Sequence, residues 1–292
     1  LERNGFRMTP ERSIREAFVE ASSFLDACGV MEPQRNAQLL LEHVLGLSGT
    51  AYYMALPERF PEELRTAWEE AVNRKAEGMP AQYITGEQEF YGRAFEVTPD
   101  VLIPRPETEL LVEAVLKEAG ALQGKLRVAD IGTGSGAIAV TLALQSSAWK
   151  VMASDISPAA LEVAARNAGK LGAEVEFREG NLLEPFAGTA LDIVVSNPPY
   201  IPAADIEGLQ PEVRDYEPRT ALDGGEDGLN PYRIMMEQLE LLPAPPRIIA
   251  FELGMGQAGE VADLLRREGH WSRIVTVQDL AGIDRHVLGI SR

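Results

Sequence analysis

The stretch Leu191-Asp-Ile-Val-Val-Ser-Asn-Pro-Pro-Tyr200 decides the fold and most of the chemistry. Leu191, Ile193, Val194 and Val195 form the short apolar run of a strand covered on both faces. Pro198 and Pro199 lack N–H groups and forbid further pairing, so the chain must leave the sheet there. Asn197 is therefore expected at the carboxyl end of a strand, where open α/β sheets present ligand-binding residues. Its side chain offers one carbonyl acceptor and two N–H donors, and the proline rings stiffen the carbonyls of Pro198 and Pro199 beside it. That set is a receiver for a planar NH2 group, with Tyr200 next to it to stack on a flat substrate. A proline-terminated strand without chemistry is the alternative reading of the same ten residues.

Two earlier segments repeat the pattern of strand, special turn and helix. Leu126–Ile131 reads as a buried strand, followed at once by Gly132-Thr133-Gly134-Ser135-Gly136 and a helix over Ala137–Leu144. Such a turn brings backbone N–H groups and a helix N-terminus against a ligand. The spacing Asp130-x-Gly132-x-Gly134-x-Gly136 differs from the dinucleotide fingerprint, and an acid just before the glycines suits an amine and a sulfonium better than a pyrophosphate. Next, a strand over Lys150–Ser154 ends at Asp155, and a helix runs over Pro158–Leu171. Asp155 lies about 20 residues beyond the turn, where a carboxylate accepts hydrogen bonds from ribose hydroxyls, caps the next helix, or does both. After a strand over Val175–Arg178, Gly180, Asn181 and Leu182 are candidates to frame an adenine.

On the other side of Tyr200, Ile201–Asn230 is too long for a simple turn and reads as a functional loop. Its acidic segment Asp223–Gly228 fails the calcium-loop spacing, so no metal is assigned. A helix over Pro231–Leu242, a strand over Arg247–Glu252, a helix over Gln257–Glu268 and strands over Trp271–Gln278 and His286–Ile290 complete an α/β domain. Alternation implies a mostly parallel sheet, and the last two strands, joined without a helix, imply an antiparallel edge.

Apolar residues recur at helical spacing from Thr9 to Glu77, as in Ile14, Ala17, Phe18, Ala21 and Leu25. From Ala81 to Pro106 that period gives way to short β-rich runs, in which Phe90, Tyr91 and Phe95 either line a cleft or pack the segment down. The expected organisation is a small helical packing or substrate-docking domain over residues 1–80, a hairpin-like linker over 81–106 and the α/β domain over 107–292. Met8 is read as a natural start, with Leu1–Arg7 left outside the fold.

Composition narrows the function. The 292 residues carry a formal charge of −18, which argues against a partner gripped through its phosphates. A single cysteine, Cys28, allows no internal disulfide and points to a reducing compartment. His43, His270 and His286 are scattered, without zinc or nucleophile spacing. No apolar run approaches the ~20 residues that span a bilayer. A cytoplasmic location is expected.

Taken together, the motifs resemble those of the class I S-adenosylmethionine-dependent methyltransferases, and more narrowly the HemK/PrmC family, which methylates glutamine in peptide chain release factors. The resemblance spans nearly the whole chain. It rests on LIPRPETE (Leu102–Glu109), DIGTGSGAIA (Asp130–Ala139), SNPPYIP (Ser196–Pro202), EPRTALDGGEDGL (Glu217–Leu229), FELGMGQ (Phe251–Gln257) and DLAGIDR (Asp279–Arg285). It implies a Rossmann-like seven-stranded sheet with an antiparallel last strand, preceded by a small helical domain. It implies S-adenosyl-L-methionine held by Gly132, Thr133, Gly134, Ser135, Gly136, Asp155, Leu182 and Asn197, with S-adenosyl-L-homocysteine as product. Asn197, Pro198 and Tyr200 would be catalytic, and Pro199 and Phe90 would join them around the glutamine of the release factor's GGQ loop. Asn181 departs from the family, whose members often have an acid there. A monomer is expected, with no membrane and no direct nucleic-acid partner. Two other readings use the same residues: methylation of an exocyclic amine in DNA or RNA after base flipping, and non-catalytic binding of the cofactor.

Overall fold

The computed structural model describes residues 5–122 and 124–291. They divide into two units, one comprising the chain through Glu87 together with Gln210–Tyr216, the other Gln88–Leu209 with Glu217 onward.

The first unit is helical: α1 (Ile14–Ala27), α2 (Pro33–Leu45), α3 (Gly49–Ala55), α4 (Arg65–Ala76) and α5 (Ala81–Thr85). A capping box starts α1, with the Ser13 hydroxyl accepting from the Glu16 N–H and the Glu16 carboxylate accepting from the Ser13 N–H. Leu25, Leu40, Leu41, Trp68 and Val72 are fully enclosed between the helices. Phe6 and Met8 are buried in the same core, and the Phe6 N–H donates to Asn73 at 2.6 Å. The segment before Met8 is thus part of the fold, because this small core needs the apolar side chains it brings; residues 1–4 lie outside the described residues. Helical structure also continues past Ala81. Pro80 opens α5 and Gly86, with φ of 78°, closes it. Within Gln210–Tyr216, Glu212 accepts from the fully buried Lys75 ammonium, and the Tyr216 hydroxyl donates to the Glu77 carbonyl at 3.0 Å. Burial pulls the Lys75 pKa down, and Glu212 opposes that shift.

A hairpin follows, β1 (Glu87–Phe90) and β2 (Arg93–Glu96), all of it but Glu87 in the second unit. Its two-residue turn, Tyr91-Gly92, has positive φ at both positions, as the twist of a tight hairpin requires. Then follow α6 (Pro106–Ala119), β3 (Arg127–Ile131), α7 (Ala137–Gln145), β4 (Lys150–Asp155), α8 (Pro158–Leu171), β5 (Val175–Glu179) and β6 (Ile193–Ser196). The chain continues through α9 (Pro211–Tyr216), α10 (Asn230–Gln238), β7 (Ile248–Glu252), α11 (Ala258–Glu268), β8 (Arg273–Gln278) and β9 (Asp284–Ile290). Seven strands form one sheet in the order β5-β4-β3-β6-β7-β9-β8. The first five are parallel, and β9 runs antiparallel to both its neighbours. The edge is therefore β8, and the last strand lies inside the sheet.

Every residue of β6 is buried, matching its unbroken apolar run, and apolar clusters cover both sheet faces. The strand order reverses between β3 and β6, whose register pairs Ile131 with Ser196. Gly132 and Asn197 consequently leave the sheet side by side, at the switch point where such sheets bind ligands. The helix expected over Pro231–Leu242 ends as α at Gln238 and tightens to a three-ten turn over Leu239–Leu241. Trp271, expected at the start of the strand, precedes β8, and its indole N–H donates to the Pro246 carbonyl at 2.9 Å. Ile201–Asn230 is less irregular than its composition suggests, holding α9 and three-ten turns at Ile206–Gly208 and Arg219–Ala221.

Candidate active site

A cavity of about 600 Å³ opens at the carboxyl ends of β3, β4 and β6. Its size is that of an ordinary small-molecule site. Gly132, Thr133, Gly134 and Ser135 form part of its wall. Gly132 and Gly134 have φ of 71° and 54°, and no atom lies within 4 Å of where a Cβ would stand on either. A side chain there would be strained and would fill the approach that a ligand needs. Gly136 differs: it is absent from the wall, and a Cβ on it would come 3.1 Å from the Ala164 Cβ. That glycine lets α7 pack closely on α8 and does not face the cavity.

Asp130 is also absent from the wall. Fully buried, its Oδ2 accepts from the Thr133 hydroxyl at 2.6 Å and from the Ala139 N–H at 3.1 Å, while Oδ1 has no partner. Burial raises its pKa to about 7, against the lowering effect of those two hydrogen bonds and with a small contribution from Asp155. The carboxyl thus braces the glycine turn from below and does not line the cavity. Asp155 does reach the cavity. Its Oδ2 accepts from the Gly134 N–H at 2.9 Å and its Oδ1 from the Ser157 N–H at 2.9 Å. Burial raises its pKa too. Capping of α8 falls to Ser157, whose hydroxyl accepts from the Ala160 N–H at 3.2 Å. Asn181 and Leu182 line the same cavity; Leu182 sits in the left-handed region at φ 53°, and its carbonyl accepts from the Ser154 hydroxyl at 3.0 Å.

Of the four residues after β6, Asn197 and Pro199 line the cavity, whereas Pro198 and Tyr200 do not. The Asn197 side-chain NH2 donates to the Thr108 hydroxyl oxygen at 3.3 Å. Its Oδ1 accepts no hydrogen bond among the described residues. The Tyr200 ring packs against the apolar cluster that contains Phe251 and Leu253, and burial, with the Glu252 charge, pushes its hydroxyl pKa up to about 12. The Tyr200 carbonyl accepts from Gln257 Nε2 at 2.9 Å, and Gln257 Oε1 accepts from the Gly254 N–H at 2.8 Å. Phe90 is far from a stacking role: fully buried and edge-on to Phe95 at 5.9 Å, it anchors the hairpin in the core. An apolar side chain in so short a hairpin is needed to pin it down.

Several cavity residues escaped the sequence reading, although four of them belong to motifs already noted there. Leu102, Arg105 and Thr108 come from the LIPRPETE segment, Arg219 from the segment that starts at Glu217, and Ile156, 60% exposed, directly follows Asp155. The buried Glu217 accepts from the Ile103 N–H at 3.2 Å and from the Arg105 guanidinium, which ties the two loops together as one wall. Alternation of prolines and charges in those segments marked loops, but only the fold brings them to one place.

Comparison with known proteins agrees with this architecture. Residues 16–86 match a model described as the PrmC N-terminal domain, and residues 106–208 one described as the methyltransferase small domain. A release factor glutamine methyltransferase from Bacillus anthracis is 46% identical over 94% of this chain and 98% of its own. The chain belongs to the release factor glutamine methyltransferase family. Another family member, from Bacillus subtilis, is 42% identical over 96% of this chain and 98% of its own. Among solved structures, the catalytic domain of hMettl16 in complex with an RNA hairpin aligns with TM-score 0.54 at 17% identity, over 76% of this chain and 82% of that one. The T. thermophilus 16S rRNA methyltransferase RsmC, in complex with AdoMet and guanosine, aligns with TM-score 0.50 at 16% identity, over 70% of this chain and 50% of that one. These two share the fold with the release factor glutamine methyltransferase family. No helix among the described residues is long and apolar enough to cross a membrane.

Proposed function

We propose that this protein transfers a methyl group from S-adenosyl-L-methionine to the side-chain amide nitrogen of the glutamine in the GGQ motif of peptide chain release factors. The observation that carries the reading is Asn197: it faces the cavity at the strand-order switch, with its donor end taken by Thr108 and its acceptor end free. The cavity fits the cofactor. Its glycine wall leaves room for close approach, Asp155 offers carboxylate lone pairs for hydroxyls, and Leu182 and Ile156 offer apolar cover for a flat base. S-adenosyl-L-methionine supplies, when bound, an electrophilic methyl on a sulfonium.

An amide nitrogen is a poor nucleophile because its lone pair is delocalised into the carbonyl. Asn197 Oδ1 accepts an N–H of the substrate carboxamide and aims its nitrogen into the cavity, so that orientation supplies much of the rate; the Pro198 carbonyl, expected from the sequence as the second acceptor, belongs to a residue off the cavity wall. The same oxygen stabilises positive charge as it grows on nitrogen. The extra proton then leaves to solvent, and no side-chain base is required. Pro199 and the Arg105–Glu217 wall shape the mouth through which the side chain enters. The protein acts as a monomer in the cytoplasm, on a protein substrate, without nucleic acid.

A second reading, methylation of an exocyclic base amine, draws on the same receiver, but a chain of charge −18 is poorly suited to holding a phosphate backbone. One assay separates the readings. The protein is incubated with methyl-labelled cofactor and, separately, release factor, DNA and RNA. Label is expected on the release factor glutamine and to vanish when that residue is replaced by alanine. Label on nucleic acid alone would overturn the proposal, and label nowhere would point to cofactor binding without catalysis.

A further inference from the structure

Leu182 lines the cavity with its backbone at φ 53°, a conformation that a leucine adopts only under constraint. It is the first central residue of a turn closed by the Glu184 N–H, which donates to the Asn181 carbonyl at 3.1 Å, and the second central residue, Leu183, has φ of −85°. Turns with positive φ at the first central position alone are dominated by glycine, asparagine and aspartate. A glycine here would leave no side chain to border the cavity or to pack, as Leu182 does, on the apolar cluster that contains Phe251. Such a strained residue persists only where its surroundings hold it.

We propose that Gln238 is a positioning residue for the cofactor, a clamp that holds Leu182 in the conformation which covers the adenine. The inference rests on the cofactor reading above. Gln238, the last residue of α10, is buried and reaches the turn on both sides of Leu182. Its Oε1 accepts from the Leu183 N–H at 2.8 Å, and its Nε2 donates to the Asn181 carbonyl at 3.4 Å. A backbone N–H only donates and a backbone carbonyl only accepts, so the carboxamide has a single orientation in which both contacts exist. Between them, the Leu182 carbonyl accepts from the Ser154 hydroxyl at 3.0 Å. Three consecutive residues of the turn are thus tied to α10 and β4. The helix belongs to the cavity as well: Ile234, one helical turn before Gln238, lines it, whereas Gln238 does not. Gln238 therefore acts on a ligand through Leu182. Without it the buried Leu183 N–H loses its acceptor, and Leu182 is free to relax to negative φ, which redirects its side chain away from the base.

The test uses the full-length protein with Gln238→Met, which keeps the side-chain length and removes both polar atoms. Kd values for S-adenosyl-L-homocysteine and for 5′-methylthioadenosine, which carries the adenine end without the amino-acid end, are measured by calorimetry. Methyl transfer to a release factor at saturating cofactor gives kcat. Both Kd values are expected to rise by the same factor, about 10-fold or more, with kcat within about twofold of the parent. Unchanged Kd values, in a parent protein that binds both ligands, would overturn this inference and leave the cofactor reading standing. Absence of binding by the parent protein would overturn that reading first. A loss confined to S-adenosyl-L-homocysteine would place the effect away from the adenine, and a fall in kcat as large as the rise in Kd would show a merely structural role; either overturns the inference. Gln238→Glu, which keeps an acceptor for the Leu183 N–H and loses the donor, serves as a second variant if Gln238→Met folds poorly. Its Kd for 5′-methylthioadenosine is expected to rise about threefold or more, and no rise would overturn the inference.

Discussion

Asn197, Asp155 and Asp130 sit within a few residues of a strand end, yet each faces a different task. Asn197 lines the cavity with a free acceptor. Replacing it with alanine is expected to lower kcat by about 10²- to 10³-fold, the scale of losing one oriented electrostatic contact, with a much smaller change in cofactor Kd. Steady-state rates and calorimetry together check this. Asp155→Ala should do the reverse and weaken cofactor binding, since both carboxylate oxygens already organise the turn they would share with a ligand. Asp130 gives a pH signature. Its pKa is 3.8 ordinarily and about 7 in the fold, so the folded state holds the proton more tightly. Its contribution to stability is fully present below the unfolded value and is lost as pH rises through about 7. Without cofactor, Tm of the parent protein is expected to decline across that window relative to Asp130→Asn, as pH-dependent melting curves of the two would show. Asn197 was legible because a strand that stops at two prolines must end at its carboxyl edge. The burial of Asp130 was not, since spacing places it beside the turn without saying which side faces the ligand.

The elements around β6 explain why Tyr200 left the cavity wall. Three residues close on its backbone: Gln257 holds its carbonyl, Gly228 stands against that carbonyl, and Gly224 approaches its Cα. A Cβ on Gly228 would lie 2.2 Å from the Tyr200 oxygen, and its φ of 78° disfavours any side chain. Gly228→Ala should therefore destabilise the protein by roughly 1–3 kcal/mol or more and lower methyl transfer with it. Chemical denaturation beside the activity assay measures both. Strands and helices of the α/β unit followed from period and punctuation, because each short apolar run has a single buried destination. The loop between Ile201 and Asn230 did not, for its order comes from contacts with distant residues, Gln257 at the Gly228 carbonyl and Ile103 and Arg105 at the Glu217 carboxylate. Phe90 misled for the opposite reason. An aromatic residue in a β-rich linker satisfies a core and a cleft equally well on paper.

At the scale of the whole molecule, the chain passes between its two units at Glu87/Gln88, Leu209/Gln210 and Tyr216/Glu217. Lys75, fully buried and bound to Glu212 and the Met79 carbonyl, fastens the middle excursion to the helical unit. Lys75→Ala would strand that segment without its anchor, so native-state proteolysis within Gln210–Tyr216 is expected to quicken several-fold relative to the parent, with cleavage mapped by mass spectrometry. Helical spacing giving way to β-rich runs led to an expected split near residue 80, but no local pattern marks a segment that returns across more than a hundred residues to join the first. This threading has an evolutionary consequence. A module attached by one joint can be gained, dropped or swapped by a single genetic fusion; a unit that also owns an inserted stretch of its neighbour cannot, and the two halves of this protein are bound to diversify together.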